Sequence, residues 1–294
     1  MSAGDLLDPA FVRELEVLRR RLEVRARSGG PGEHLSRKRG GASEFQEHRP
    51  YGPGDDLRRI DWAAYARTDE PVMKVFRAEE DVVVRVLIDT SASLDFAGFG
   101  VEAPTKMDVA RKIAAAIGYM ALARSERAQL FGAAGPAIAT GRGRAGLVGF
   151  LRSLGAVEAR GSAAIAGAID GVVRRSERPG MLAVVSDFLE AVPVWPALSL
   201  ARSRGHDVAL VHVVAPHELE PPLEGDLVLE DAETGARVDV SVDGESLGQY
   251  AATVQGLFGE LRAHAKRLGA TYVVARTDEG LEKVMRRFVA RALD

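Results

Sequence analysis

Two short stretches of the chain carry side chains able to hold a hard cation. Asp89-Thr90-Ser91-Ala92-Ser93 offers a carboxylate and two hydroxyls at alternating positions, and Ser186-Asp187-Phe188 offers a second carboxylate. Each follows an apolar run, Val82 to Ile88 and Met181 to Val185, of the kind that makes a strand buried on both faces. Ligands of open parallel sheets bind beyond the carboxyl ends of the strands, which is where both stretches fall. Oxygen donors of this type suit Mg²⁺, Mn²⁺ or Ca²⁺ and not the softer metals. Few of the donors are charged, so a bound ion would stay electrophilic and could accept a partner's carboxylate. The competing reading is structural: Asp89 and Asp187 cap loops, and Ser91 and Ser93 cap the next helix.

A third stretch runs from Arg49 through Tyr51-Gly52-Pro53-Gly54-Asp55-Asp56-Leu57-Arg58-Arg59-Ile60-Asp61-Trp62. Glycine on both sides of Pro53 permits a sharp turn. Asp55, Asp56, Arg58, Arg59 and Asp61 alternate in sign, and Arg49 and Arg67 can reach such carboxylates bidentately. The segment reads as a salt-bridged plug anchored by Tyr51 and Trp62, with a partner-binding surface as the other reading. Nothing specific marks its aspartates as acid–base groups, and no catalytic residue is assigned anywhere in the chain.

Composition removes several chemistries. The chain has no cysteine, which excludes disulfides, thiolate metal sites and thiol nucleophiles. His34, His48, His206, His212, His217 and His264 show no H-E-x-x-H spacing, so a zinc site is not expected. There is no G-x-x-x-x-G-K-[ST] loop. Asp89-Thr90-Ser91 is not the D-x-D of an aspartyl-phosphate phosphatase, which weakens the enzyme alternative, a metal-dependent phosphohydrolase using Asp89 and Asp187. A metal-free scaffold is the remaining alternative. The formal charge of −3 gives no case for nucleic acid, and the basic stripe Arg19-Arg20-Arg21, Arg25, Arg27, Arg37-Lys38-Arg39 is interleaved with Glu14, Glu16 and Glu23. The N-terminus has charges where a signal peptide needs an apolar run, and no stretch approaches the ~20 apolar residues of a transmembrane helix. A cytoplasmic location is expected.

The elements that must position these groups follow from periodicity. Asp8-Pro9 starts a helix whose apolar stripe is Phe11, Leu15, Leu18 and Leu22. Residues 33 to 80 follow no clean period yet are too aromatic for a disordered linker, so an ordered, irregular segment packed on the main domain is expected. Met107, Ala110, Ile113, Ala114, Ile117 and Ala121 make the inward face of the next helix. Two short strands are expected between Ala128 and Thr140, helices at 147–151 and 165–173, and buried strands at 181–185 and 208–214. Leu227 to Leu229 and Arg237 to Val240 flank Glu233-Thr234-Gly235 as a hairpin. A long amphipathic helix (Tyr250 to Leu268), a strand (Tyr272 to Val274) and a closing helix (Leu281 to Val289) complete the chain. Strands alternating with helices predict an α/β fold with a mainly parallel sheet covered on both faces. The domain reading is residues 1–80, the N-terminal helix and irregular segment, and 81–294, the α/β domain with a hairpin insertion around 223–243.

D-T-S-A-S after a hydrophobic strand resembles the metal-ion-dependent adhesion site of von Willebrand factor A domains. The stretch from Glu44-Phe45 through Arg49-to-Trp62 to Ala66-Arg67, Lys74 and Glu79 resembles a bacterial family catalogued as domain of unknown function fifty-eight. The resemblance implies a von Willebrand factor A-like (Rossmann-like) fold. It also implies a non-enzymatic adaptor that works with a MoxR-type AAA+ ATPase on a client complex. Mg²⁺, or Mn²⁺ or Ca²⁺, would be held by Asp89, Ser91, Ser93 and Asp187. One departure is visible. The threonine that completes the metal shell in A domains falls on Ala163, which has no side-chain oxygen, and Ser162 substitutes only if its loop shifts by a residue.

Overall fold

In the computed structural model of the chain, the described residues are 3–28, 45–52, 56–57, 60–76, 82–133, 137–189 and 194–291. They fall into two compact units, one from residues 1–33 with 82–294 and one from 34–81.

The larger unit is built on a six-stranded sheet. Its strands are β3 (Val83–Ile88), β4 (Arg127–Phe131), β5 (Ala139–Arg142), β6 (Met181–Ser186), β7 (Asp207–Val214) and β10 (Thr271–Arg276), in the order β10-β7-β6-β3-β4-β5. Every pairing is parallel except that of β5, an edge strand antiparallel to β4. Parallel strands need crossover helices, and those helices cover both faces. Two apolar clusters result. One joins α4 (Lys106–Ala123), α5 (Leu147–Gly155) and α10 (Leu281–Arg291) to the sheet, and the other joins α6 (Ile165–Arg175), α7 (Trp195–Ser203) and the C-terminal part of α9 (Gly244–Arg267). The expected α4 stripe from Met107 to Ala121 is buried throughout.

Helices α1 (Ala3–Leu6) and α2 (Pro9–Ser28) belong to this unit and not to the segment that follows them, a different grouping from the sequence reading of residues 1–80. The reason is the stripe itself. Leu6, Phe11, Leu15, Leu18 and Leu22 are buried in the same cluster as α4 and α5. The Tyr119 hydroxyl also donates to Glu16 Oε2 at 2.6 Å. The hairpin lies where expected, with β8 (Gly225–Glu230) and β9 (Arg237–Val242) paired antiparallel and Asp231 Oδ1 accepting from Glu233 N and Thr234 N in its turn. Among the described residues no helix is long and apolar enough to cross a membrane.

The second unit corrects the expectation of an irregular segment. Strands β1 (Phe45–Pro50) and β2 (Val72–Phe76) pair antiparallel, with α3 (Trp62–Thr68) between them. Periodicity missed β1 because Phe-Gln-Glu-His-Arg-Pro has no apolar alternation; pairing with β2 imposes the extended backbone.

Because α2 is packed as part of the core, Leu15→Ala is expected to cost about 2–5 kcal/mol in urea denaturation. A change within about 0.5 kcal/mol, the size of a surface substitution, would show that α2 is not part of that core.

Candidate functional site

Register brings the two carboxylates together. Ile88, the last residue of β3, is opposite Val185 of β6, so Asp89 just beyond β3 comes level with Ser186, the last residue of β6, and Asp187 follows it. The Asp89 amide donates to the Val185 carbonyl at 2.9 Å, which continues the ladder by one step. Asp89 is buried, with Oδ1 accepting from the Ser91 amide at 2.9 Å and Oδ2 from the Ser186 hydroxyl at 2.5 Å. Burial raises the Asp89 pKa above the ordinary carboxylate value, and the charge of Asp187 adds to it against these hydrogen bonds.

Asp187 is reached by a relay of hydroxyls. Ser93 Oγ donates to Asp187 Oδ2 at 2.7 Å and lies 2.9 Å from Ser91 Oγ. Having given its one proton to Asp187, Ser93 accepts from Ser91. The backbone turns at Phe188, whose φ of 51° is unusual for a bulky side chain. Its amide donates to Ser186 Oγ at 2.8 Å, and the Leu189 amide points at Asp187 Oδ1 at 3.4 Å.

The residue that completes this cluster is Lys106, for which the sequence reading assigned no role. It is the first residue of α4, which Thr105 and Asp108 open with a reciprocal capping box. Lys106 is fully buried and donates to Asp187 Oδ2 at 2.7 Å and to Glu218 Oε1. Burial alone would lower its pKa, but the two carboxylates outweigh it and the pKa is raised. Glu218 lies on the one-turn helix α8 (Pro216–Leu219), where its Oε2 accepts from the Ala215 amide at 2.7 Å. A signal for Lys106 was present: a cation in the first turn opposes the helix dipole, so a lysine there needs an anion nearby. Glu218 carries no such local mark.

Asp89, Ser91, Ser93 and Asp187 thus meet as one cluster. Ser162 does not join them: it is exposed, and among the described residues no hydrogen bond links it to the cluster. Its loop is nonetheless close, since the Arg160 amide donates to the Thr90 carbonyl and the Ala92 amide to Gly161, both at 2.8 Å. Ala163, at the expected threonine position, is buried and apolar. The donor types are right for the divalent ion that the resemblance implies, but their arrangement is not. The Asp187 oxygen that would face an ion already holds an ammonium and a hydroxyl, and a dication beside that ammonium would be repelled. As they stand, these residues do not fit the ion.

Of the third stretch, Asp55 and Arg58 lie outside the described residues. Asp61 is the N-cap of α3, accepting from Ala63 N at 3.1 Å and Ala64 N at 3.2 Å. Arg49 is paired with Met73 across β1 and β2, the Tyr51 amide donates to the Pro71 carbonyl at 2.9 Å, and Asp56 is exposed. Trp62 is not the expected buried anchor. It is 61% exposed and meets only the Tyr65 ring, edge to face, among the described aromatic contacts. As the first residue of α3 it projects away from the side that buries Ile60 and Ala64.

The family model described as protein of unknown function DUF58 matches residues 47–255. The chain belongs to this family. It is 33% identical over 300 residues to uncharacterized proteins of Mycobacterium tuberculosis and Mycobacterium bovis, covering 99% of this chain and 92% of each relative. An uncharacterized protein of Mycobacterium avium is 31% identical over 125 residues, covering 42% of this chain and 73% of the relative. Among solved structures, the conserved hypothetical protein BatB of Bacteroides thetaiotaomicron matches with a TM-score of 0.43 and an aerotolerance-related membrane protein of Bacteroides fragilis with 0.46. Both are 16% identical and cover 72% of this chain and 98% of the other.

Behind the cluster lies His212, paired in register with Ser186 and buried. Its Nδ1 is 2.8 Å from the Tyr272 hydroxyl and its ring meets Phe188 and Phe258. Burial pushes its pKa down from 6.5 to about 4, with the Lys106 charge adding to the depression and Asp187 opposing it. The unfolded chain therefore binds a proton between those values that the folded chain refuses. Stability is expected to fall as pH drops from 6.5 toward 4, by about 3 kcal/mol from this group. Denaturation across that range should show the limb in wild type and a flatter one in His212→Phe; parallel limbs would mean another group titrates.

Proposed function

We propose that the chain is a non-enzymatic protein-binding module that uses the strand-tip end of a von Willebrand factor A-like domain. D-T-S-A-S at the tip of an interior strand in a mainly parallel sheet is the arrangement that resemblance implies. The observation that carries the binding role is the surface around the buried cluster. Phe99 is 39% exposed, Leu189 55% and Tyr250 40%. Each is one contact from the charges: Phe99 stacks on His217 beside Glu218, the Leu189 amide faces Asp187, and the Tyr250 hydroxyl donates to the Glu218 carbonyl. Exposed aromatics beside a polar cluster are the usual composition of a recognition patch. The carboxylates are already committed, Asp89 through both oxygens and Asp187 to Lys106 and Ser93, which leaves neither poised as a nucleophile. No step of this reading passes through a divalent ion.

The partner proposed is a MoxR-type AAA+ ATPase in the cytoplasm, with which the chain would act on a client complex. This follows from the family resemblance and from the lack of any P-loop of its own, so that hydrolysis would come from the partner. Affinity between the full chain and such an ATPase from the same genome is the test. Replacing Phe99, Leu189 and Tyr250 together by serine is expected to weaken binding at least about tenfold, as loss of apolar anchors does. Val228→Ser with Val238→Ser, on the exposed hairpin, should leave it unchanged. Equal binding by the strand-tip variant would sink the assignment of this surface, and no association at all would sink the partner.

A further inference from the structure

We infer that Lys106 is the resident cation of the strand-tip site, occupying by its ammonium the role a divalent ion would otherwise fill. The placement is specific. The ammonium sits between Asp187 Oδ2, 2.7 Å away on the sheet side, and Glu218 Oε1 on the outer side. It is held from the start of α4, whose Lys106 amide is itself bonded to the Phe96 carbonyl at 3.0 Å, with the Phe96 ring 6.0 Å from Nζ. A lysine without a partner in an apolar interior is strongly disfavoured, so its burial against two carboxylates is a compensated arrangement. The oxygen count agrees. Ser93 gives its proton to the same Asp187 oxygen, and the position where a further hydroxyl is expected is Ala163.

Two consequences follow. The site is complete in the absence of metal, so partner binding should not respond to chelators. Glu218 also stands where an incoming acidic side chain would have to stand: its side chain is the more accessible of the two carboxylates, 20% exposed against 4% for Asp187. A partner's carboxylate would compete with Glu218 for Lys106, not enter an open metal coordination position.

Calorimetric titration of the full chain with Mg²⁺ and with Mn²⁺ decides the inference, whether or not the protein-binding reading is right. Wild type is expected to give no saturable heat and the same melting temperature in either ion as in EDTA. Lys106→Met should melt roughly 10 °C lower, the loss expected from leaving buried carboxylates uncompensated. With the ammonium gone, Asp187, Glu218 and Ser93 face one space, so Mn²⁺ or Mg²⁺ should restore part of that loss. Asp187→Asn added to Lys106→Met should abolish the recovery. Saturable metal binding by wild type that disappears in Asp187→Asn would overturn the inference, as would a Lys106→Met protein that melts with wild type in EDTA. If Lys106→Met does not fold, the wild-type and Asp187→Asn titrations still decide between the two outcomes.

Discussion

Asp89 and Asp187 end adjacent strands of a sheet covered on both faces, and the burial of these two carboxylates is the constraint around which the strand-tip end is built. Two anions in a low-dielectric interior repel each other and lose their water, so each must be compensated separately. Asp89 is compensated without charge, by the Ser91 amide and the Ser186 hydroxyl, and its pKa is raised. Asp187 is compensated by a full positive charge. Lys106, the first residue of α4, supplies that charge and ties Glu218 of α8 to the same point.

The same arrangement separates what the site can do from what its residue types suggest. Hydroxyls and carboxylates in the D-x-S-x-S pattern are equally good as metal ligands and as members of an internal hydrogen-bond chain. Here they form the chain, Ser91 to Ser93 to Asp187, and the chain terminates on an ammonium. The one ammonium is shared by Asp187 and Glu218, and Phe99, Leu189 and Tyr250 are exposed around it. The hydrogen-bonded cluster holds in one conformation the loops that carry these side chains.

The smaller unit obeys a different logic. Its helix α3 depends on Asp61, which satisfies the first amides of the helix, and its strands depend on pairing with each other. The stretch that carries the family resemblance therefore includes at least one residue, Asp61, whose visible role is structural. Trp62, conspicuous in the sequence, is exposed beside Tyr65, so the same helix turns an aromatic pair outward.

Much of this was legible in the sequence. Apolar runs ending in Asp89 and Asp187, and the helical stripe of α4, required a parallel sheet with covered faces and put two carboxylates at one end of it, because burial forces periodicity on any chain. The same argument identified the α2 stripe but not its destination, since an apolar face states only that it will be buried, not against what. Strand β1 was hidden for the opposite reason, being held by pairing and not by pattern. The decisive residues of the site were tertiary. Lys106 lies 81 positions from Asp187 and 112 from Glu218. No local periodicity relates those three; only the crossover of the chain through the sheet brings an ammonium to the place that the residue types alone reserved for a metal.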